Sequence, residues 1–307
     1  RKAHQKWWTD FWNRSWIFVS GDEFAETVTR GYILQRFMTA SAGRGKSPIK
    51  FNGSIFTVDA LLDGQDYDAD YRNWGGPYWF QNTRLSYWPL LASGDFDMLQ
   101  PYFQMYIDAM PLAEARTLRY FGHDGVFFPE TMYFWGAYPQ DNYGWPNQRT
   151  DLPVYTTTNQ YIRYEWQSGL ELLTQMLDYY AITHNDGFLC STLLPIAEAV
   201  ITFYDQHYPR SSQGELRIEP AQALETYWDS VNPMPEIAGL RFVLPKLLVL
   251  PTDLISHQLR EQWTRLLVEV PELPTRQIDD QVVLSPASEI GPKNNQENPE
   301  LYAIFSI

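Results

Sequence analysis

The stretch Leu170-Glu-Leu-Leu-Thr-Gln-Met-Leu-Asp-Tyr-Tyr180 carries the clearest structural pattern in this chain of 307 residues. Its apolar residues recur at the i, i+3, i+4 and i+7 spacing that is typical of an amphipathic helix. The pair Asp186-Gly187 separates this helix from a second apolar segment, which ends at Pro209 and Gly214. We therefore predict that residues 160–208 form a helical hairpin with a short connection.

Helical spacing of apolar residues recurs along the rest of the chain, between long loops rich in aromatic residues, glycine and proline. Loops of such length in a helical domain are usually functional. Hairpins that carry long loops at one end favour an all-α fold, an (α/α)6 toroid with long irregular loops around a central pocket, incomplete at its C-terminus. We assign residues 22–307 to this domain and residues 1–21 to a linker or N-terminal helix. The predicted helices are 22–42, 78–93, 96–121, 160–184, 187–208, 235–250 and 256–269; the predicted loops are 43–77, 122–159, 211–234 and 271–298; short extended pieces are expected at 50–51, 55–58 and 126–128.

Charge and the count of metal-binding side chains narrow the classes of function. The formal net charge of −14 would repel a phosphate backbone, so we expect no nucleic-acid partner and favour a neutral substrate. No apolar run approaches the roughly 20 residues that cross a bilayer, so no membrane span is predicted. The histidines are scattered and the single cysteine, Cys190, cannot complete a zinc site, so we expect no metal and no cofactor.

Aromatic residues make up 16% of the chain and include 12 tryptophans, many of them beside Gly, Asn, Asp or Arg. Such rings stack on the C–H faces of sugars while neighbouring polar groups bind the hydroxyls. The composition therefore favours an oligo- or polysaccharide partner, although many of these rings also fill the core. A protein that acts on such glycans is expected to be secreted or periplasmic, although these residues include no signal segment.

One carboxylic acid lies in surroundings that would keep it protonated. In Ile218-Glu-Pro-Ala-Gln-Ala-Leu-Glu-Thr-Tyr-Trp228, Glu225 is placed between apolar and aromatic neighbours. Such surroundings disfavour the charged form and raise the pKa of the carboxyl group, which is what a glycosidase requires of its general acid. A surface or capping role is the alternative for a glutamate in a loop.

Five sequence blocks occur in an order that is hard to obtain by chance. They are Gly31-Tyr-Ile-Leu-Gln-Arg-Phe-Met38 with Pro48-Ile-Lys-Phe-Asn-Gly53, Trp74-Gly-Gly-Pro-Tyr-Trp-Phe-Gln-Asn-Thr-Arg-Leu-Ser-Tyr-Trp-Pro89, Gly122-His-Asp-Gly-Val-Phe-Phe-Pro-Glu-Thr131, the hairpin 160–208, and Pro220-Ala-Gln-Ala-Leu-Glu225. Together they resemble the catalytic domain of glycoside hydrolase family 95, the α-L-fucosidase and α-L-galactosidase family. The resemblance implies an (α/α)6 barrel that cleaves with inversion.

The resemblance also implies roles for individual residues. Glu225 falls on the loop that carries the general acid of the family. Asn82 matches the second of two asparagines that orient the attacking water, while the first falls on Phe80 or, with a one-residue gap, on Gln81. The aspartate base of the family is expected beyond Ile307, so we expect residues 1–307 to be an inactive piece of a longer enzyme.

Further residues are candidates for sugar binding. Glu130, with Thr131, falls where the family places polar residues that face the sugar, with loop hydrogen bonding as the alternative. Trp135 could stack on a sugar ring or pack within its loop, and Asn52 matches the pocket rim or makes an ordinary turn. Three more candidates come from matched blocks: Trp79, and Glu165 and Trp166 at the expected start of a helix that faces the pocket.

These observations lead to one leading hypothesis and two alternatives. The leading one is an inverting exo-glycosidase that hydrolyses a terminal fucose- or galactose-like sugar from a glycan. An inverting glycoside phosphorylase would keep the acid and replace the attacking water with phosphate. A non-catalytic carbohydrate-binding protein would keep the scaffold without the base.

Overall fold

The computed structural model describes residues 1–49, 61–62, 64–66 and 76–304. The expected extended pieces at 50–51 and 55–58, and the candidate residue Asn52, lie outside the described residues. The chain divides into two compact units, Arg1–Tyr106 and Ile107–Ile307, and the division falls inside one long helix. The assignment of residues 22–307 to a single domain stays a prediction.

In its described residues, the first unit contains helices, short turns and three short strands. The helix predicted at 22–42 is confirmed, and it begins where the Asp22 carboxylate accepts the backbone N–H groups of Phe24 and Ala25. The helix predicted at 78–93 is broken, because Pro89 cannot donate a backbone hydrogen bond and lies instead in the first turn of a new helix that begins at Trp88. The elements are α1 Lys2–Trp12, α2 Glu23–Ala42, the antiparallel strands β1 Leu61–Leu62 and β2 Gln65–Asp66, β3 Tyr78–Trp79, α3 Phe80–Thr83, a 3-10 turn Arg84–Ser86, α4 Trp88–Ser93, a 3-10 turn Phe96–Met98 and the first part of α5 Gln100–Phe121.

A buried ion pair joins the elements of the first unit. Arg36 of α2 donates to both carboxylate oxygens of Asp95, at 3.0 and 2.8 Å. The same guanidinium donates to the Ser15 carbonyl oxygen, and the Ser93 hydroxyl donates to Asp95. These bonds hold the segment after α1, helix α2 and the segment after α4 together.

The second unit contains the predicted helical hairpin and two small sheets. Its elements are the remainder of α5, β4 Thr131–Met132, α6 Gln140–Tyr143, 3-10 turns at Pro146–Gln148 and Gln160–Ile162, α7 Ser168–Thr183, α8 Asp186–Phe188, a π turn Leu189–Leu193, α9 Leu194–His207, β5 Ala221–Ala223, β6 Tyr227–Pro233, α10 Met234–Leu248, α11 His257–Glu269, β7 Thr275–Ile278, β8 Gln281–Leu284, β9 Ala287–Glu289 and a 3-10 turn Pro299–Ala303. Strands β5, β6 and β9 form an antiparallel sheet in that order, and β7 pairs with β8. The helical class predicted from the sequence is confirmed, with these small sheets added.

Helix α7 lies at the centre of the second unit. It is buried along most of its length and packs against α9 and α10. Glycines permit both contacts: a Cβ at Gly169 would approach Val200 at 3.1 Å, and one at Gly239 would approach Leu170 at 2.8 Å. The hairpin predicted from the sequence is therefore the core of this unit.

Several predictions of elements in this unit are wrong. The segment 211–234, predicted to be a loop, contains strands β5 and β6. The helix predicted from residue 160 starts at Ser168, because the Tyr164 backbone N–H donates to the distant Gln222 side chain at 2.8 Å. The segment 271–298, predicted to be a loop, contains the hairpin β7–β8 and strand β9. Asp279, at φ 51°, adopts the left-handed conformation that a tight turn between these strands requires.

By length and apolar composition, the continuous helix Asp186–His207 could cross a membrane, although half of its most apolar window is buried within the protein. Its α9 part packs against α7 and α11. This packing is that of a core helix in the structure described, and the absence of a membrane span stays a prediction.

Candidate active site

Glu225 lies in the tight connection between strands β5 and β6. The preceding residue, Leu224, adopts a left-handed conformation at φ 53°, and the Glu225 side chain is half-buried. The Trp228 indole N–H donates to the Glu225 backbone carbonyl at 3.1 Å. The Trp228 ring packs edge-to-face against Tyr161, with ring centres 5.0 Å apart. The backbone that carries Glu225 is therefore held by aromatic side chains on one side.

The surroundings of Glu225 raise its pKa to about 7. Removal of water from the carboxyl group is the largest cause, and the negative charge of Glu297 adds to it. The Asn295 amide opposes both, because its Nδ2 donates to Glu225 Oε2 at 2.8 Å and favours the charged form. Glu225 is thus half-protonated near neutral pH, as expected from its sequence neighbours.

Residues 291–297 run alongside the β5–β6 connection and the start of β6, and this brings Asn295 and Glu297 close to Glu225. The Asn294 backbone N–H donates to the Thr226 carbonyl at 2.7 Å. The Thr226 hydroxyl donates to Glu297 Oε2 and accepts from the Glu297 backbone N–H, both at 3.0 Å. At Gly291 a Cβ would lie 1.5 Å from the Trp228 carbonyl oxygen, so only glycine permits this approach.

Glu165 is fully buried three residues before α7. Its Oε1 accepts from the Gln167 side chain at 3.1 Å, and its Oε2 has no hydrogen-bond partner among the described residues. Burial raises the pKa of Glu165 well above its usual value, and the charges of Glu130, Glu225 and Glu297 raise it further. The surroundings of Glu165 therefore favour its protonated form.

Gln222 of strand β5 joins the Glu165 segment to the Glu225 segment. Its Oε1 accepts the Tyr164 backbone N–H, and its Nε2 donates to the carbonyl oxygens of Leu224 and Tyr161. Gln222 is itself 1% exposed. Because one buried amide bonds to both segments, the positions of the two carboxyl groups are coupled.

Glu130 and Thr131 are fully buried in the segment that follows α5. The Val126 backbone N–H donates to the Ala199 carbonyl of α9 at 2.9 Å, and the Ser168 hydroxyl donates to the Phe128 carbonyl at 2.9 Å. The segment predicted to be extended at 126–128 forms no strand ladder and is held by these bonds instead. This anchoring brings Glu130 close enough to act electrostatically on Glu165.

Four carboxyl groups from separate parts of the second unit therefore share one region: Glu130, Glu165, Glu225 and Glu297. Buried polar atoms nearby in the chain, Thr131 Oγ1 and Gln167 Oε1, have no hydrogen-bond partner among the described residues. Unpartnered buried polar atoms are rare in proteins and commonly receive water or a ligand. Among the residues that the structure describes, no group of His, Cys, Asp or Glu has the arrangement of a metal site.

The remaining candidate residues have different surroundings. Trp166 is 3% exposed, and its ring packs against Phe127, Phe203 and His207 within the core, a position in which it supports the Glu165 segment. Trp135 is 47% exposed and stacks on Tyr133 with ring centres 4.6 Å apart, so one part of its surface is open to solvent.

Trp79, Gln81 and Asn82 belong to the first unit. Trp79 ends strand β3, and the two amides lie on the short helix α3, all three half-buried. Their roles toward water and sugar stay predictions.

Sequence reasoning missed the residues that surround Glu225. Asn295 and Glu297 were placed in a polar run of an expected loop, and Gln222 was not singled out. The run Lys293-Asn-Asn-Gln-Glu-Asn298 contains a signal that could have found them, because it concentrates amides and a carboxylate without hydrophobic periodicity.

No protein-family model and no curated protein matches the sequence. Thirteen chains of solved structures match the fold. One of them is described as "Putative kojibiose phosphorylase from human microbiome", with a TM-score of 0.59 and 11% sequence identity over 89% of this chain and 37% of that chain. The chain thus spans just over a third of the length of that protein. At this identity the likeness establishes a shared fold.

Proposed function

We propose that this protein is a carbohydrate-active enzyme that cleaves a glycosidic bond with inversion, and that Glu225 is its general acid. The observation that carries the proposal is the half-buried Glu225 carboxyl group, whose pKa is raised to about 7 beside three further carboxyl groups. A general acid works best when its pKa lies near the operating pH. The shared fold with a protein described as a kojibiose phosphorylase supports the same class of chemistry.

In the proposed step, Glu225 transfers its proton to the glycosidic oxygen as the bond between that oxygen and the anomeric carbon breaks. The electron pair of that bond goes to the leaving oxygen, and Glu225 becomes a carboxylate. A water molecule on the opposite face bonds to the anomeric carbon and gives its proton to a base about 6.5–9.5 Å from the acid. By the resemblance to glycoside hydrolase family 95, Asn82, with Gln81, is proposed to orient the water.

The sugar would be bound by the polar and aromatic candidates. Glu130, Thr131 and Glu165 are proposed to meet its hydroxyl groups, since they are buried polar side chains in the same region as the acid. Trp135 offers an exposed aromatic face for a further ring. In the proposed (α/α)6 toroid, these residues would lie on loops around one pocket, with a fucose- or galactose-like terminal sugar as the substrate.

Phosphorolysis is a second candidate, favoured by the description of the structural neighbour. Phosphate would attack the anomeric carbon in place of water, and the product would be a sugar 1-phosphate. The same acid would protonate the leaving oxygen. A binding protein without turnover is the third outcome.

Incubation of the intact protein with a panel of disaccharides, with and without inorganic phosphate, distinguishes these functions. Free sugar without phosphate identifies a hydrolase, and sugar 1-phosphate identifies a phosphorylase. In either case Glu225→Gln is expected to lower kcat on disaccharides by about 10²–10⁴-fold. Equal activity of the variant would refute the acid assignment, and saturable binding of sugar without turnover would identify a binding protein.

A further inference from the structure

The orientation of the Asn295 side-chain amide is determined by its two neighbours. Its Oδ1 accepts the Gln296 backbone N–H at 2.9 Å, and its Nδ2 lies 2.8 Å from Glu225 Oε2. A flipped amide would place two donors against each other at Gln296. Asn295 therefore presents a donor to Glu225.

A donor at Oε2 restricts where the proton of Glu225 can be. When a carboxyl group is protonated, its carbonyl oxygen is a better hydrogen-bond acceptor than its hydroxyl oxygen, which must turn its own hydrogen away from an approaching N–H. The contact with Asn295 therefore favours the protonated form of Glu225 that carries its hydrogen on Oε1. Residues 291–297 are hydrogen-bonded to Thr226 and Trp228, which flank Glu225 in the chain. These bonds hold Asn295 in contact with Glu225.

Building on the proposed function, we propose that Asn295 is a positioning residue that keeps the transferable proton of Glu225 on Oε1. Oε2 stays an acceptor throughout the reaction, and Oε1 is the oxygen that gives its proton to the leaving group. When the proton has left, the same N–H stabilises the carboxylate that remains.

Glu297 has the opposite effect on the same carboxyl group. It is held by the Thr226 hydroxyl and backbone, and its negative charge favours the protonated form of Glu225. Of the other groups nearby, Glu165 is in surroundings that favour its protonated form, and Glu130 acts on Glu165 from the segment after α5. Asn295 thus determines which oxygen of Glu225 carries the proton, and Asn295 and Glu297 together determine the pH at which the proton is lost.

The test compares a disaccharide with the glycosyl fluoride of the sugar that the wild-type enzyme releases, because fluoride leaves without a proton. Asn295→Asp keeps the shape but replaces the donor with an acceptor, which draws the proton to Oε2. We expect kcat/KM for the disaccharide to fall by up to about 100-fold, the cost of a misplaced catalytic group, while the fluoride reacts nearly as before. Asn295→Ala should have a smaller effect in the same direction. Asn294→Ala is the matched control, because the Asn294 side-chain amide donates to the Pro292 carbonyl oxygen.

The second readout is the pH at which the Glu225 carboxyl group titrates. It is measured by 13C NMR, which does not require the protein to turn over a substrate. Asn295→Asp and Asn295→Ala should raise this titration pH, because each removes a donor to the carboxylate. Glu297→Gln should lower it, because it removes a negative charge. Equal losses on both substrates, or an unmoved titration, would overturn the proposal. Inactivity of the wild-type protein, or full activity of Glu225→Gln, would instead refute the proposed function, and the titration would still decide the role of Asn295.

Discussion

The protein opposes the ionisation of Glu165. It is fully buried, one of its oxygens has no partner among the described residues, and three other carboxyl groups act on it. Its folded-state pKa lies above the unfolded value of 4.5. Above pH 4.5 the folded protein therefore retains a proton that the unfolded chain has lost, and stability falls as pH rises until the folded-state pKa is passed.

Glu165→Gln should remove this fall in stability with rising pH. We expect the variant to gain stability relative to the wild type by up to about 1.4 kcal/mol for each pH unit above 4.5 within that window. Urea unfolding at pH 4, 6 and 8 measures the difference. Glu215→Gln, at an exposed site, is the control and should show no such trend. A constant difference at all three pH values would contradict the account of Glu165.

At the residue scale, the sequence predicted the raised pKa of Glu225 but not the distant residues that contact its side chain. Glu225 could be identified because Leu224, Tyr227 and Trp228, which surround it, are adjacent in the chain. Asn295 is 70 residues away, and its contact with Glu225 exists only after residues 291–297 pair with the β6 region. Periodicity and composition contain no information on such a pairing.

The contacts between elements depend on a few tightly placed residues. Asp95 is 1% exposed and is the carboxylate partner of the buried Arg36. Asp97 is 47% exposed and pairs with Arg14 at the surface. The Arg36–Asp95 pair is therefore buried away from water, whereas water and salt weaken the charge attraction of the Arg14–Asp97 pair.

Asp95→Ala should therefore destabilise the protein by about 3–5 kcal/mol, because it leaves the Arg36 charge buried and unpaired. Asp97→Ala should cost less than about 1 kcal/mol. Thermal and urea unfolding of the two variants measures these costs. Similar losses of stability in Asp95→Ala and Asp97→Ala would contradict the burial of the Arg36–Asp95 pair.

The contact between α7 and α10 gives a second prediction at this scale. Gly239→Ala would place a Cβ 2.9 Å from the Leu170 Cβ, so we expect a loss of about 1–3 kcal/mol. A Cβ added at Gly31, in the exposed interior of α2, would meet no atom within 4 Å. Gly31→Ala should instead stabilise by about 0.5–1 kcal/mol, and a loss from both changes in unfolding measurements would contradict this packing.

Elements with local signals were predicted well from the sequence. Helix α7 and helix α9 follow from apolar spacing, and α2 from the same pattern with an acidic N-cap. The start of α7 was missed because Gln222 holds Tyr164 from far along the chain. The β7–β8 hairpin was missed because the turn at Asp279-Asp280 was hidden among prolines and polar residues.

At the scale of the whole molecule, charge bears on the choice between water and phosphate. A net charge of −14 repels an anionic nucleophile, and salt screens this repulsion over about 8–10 Å at physiological ionic strength. A phosphorylase with this charge should therefore bind phosphate better as salt rises, whereas hydrolysis of a neutral glycan should be nearly insensitive. Initial rates from low salt to about 0.15 M distinguish the two. A rate that falls with salt would contradict both expectations.

The central claim is that Glu225 carries a transferable proton near neutral pH. Its most direct test is 13C NMR titration of the glutamate carboxyl groups in the intact protein, with Glu225→Gln identifying the signal. The account predicts a carboxyl group that titrates at about pH 7 and a kcat/KM that declines over the same range as pH rises. Titration near pH 4.5, with activity unaffected between pH 6 and about pH 8, would contradict it.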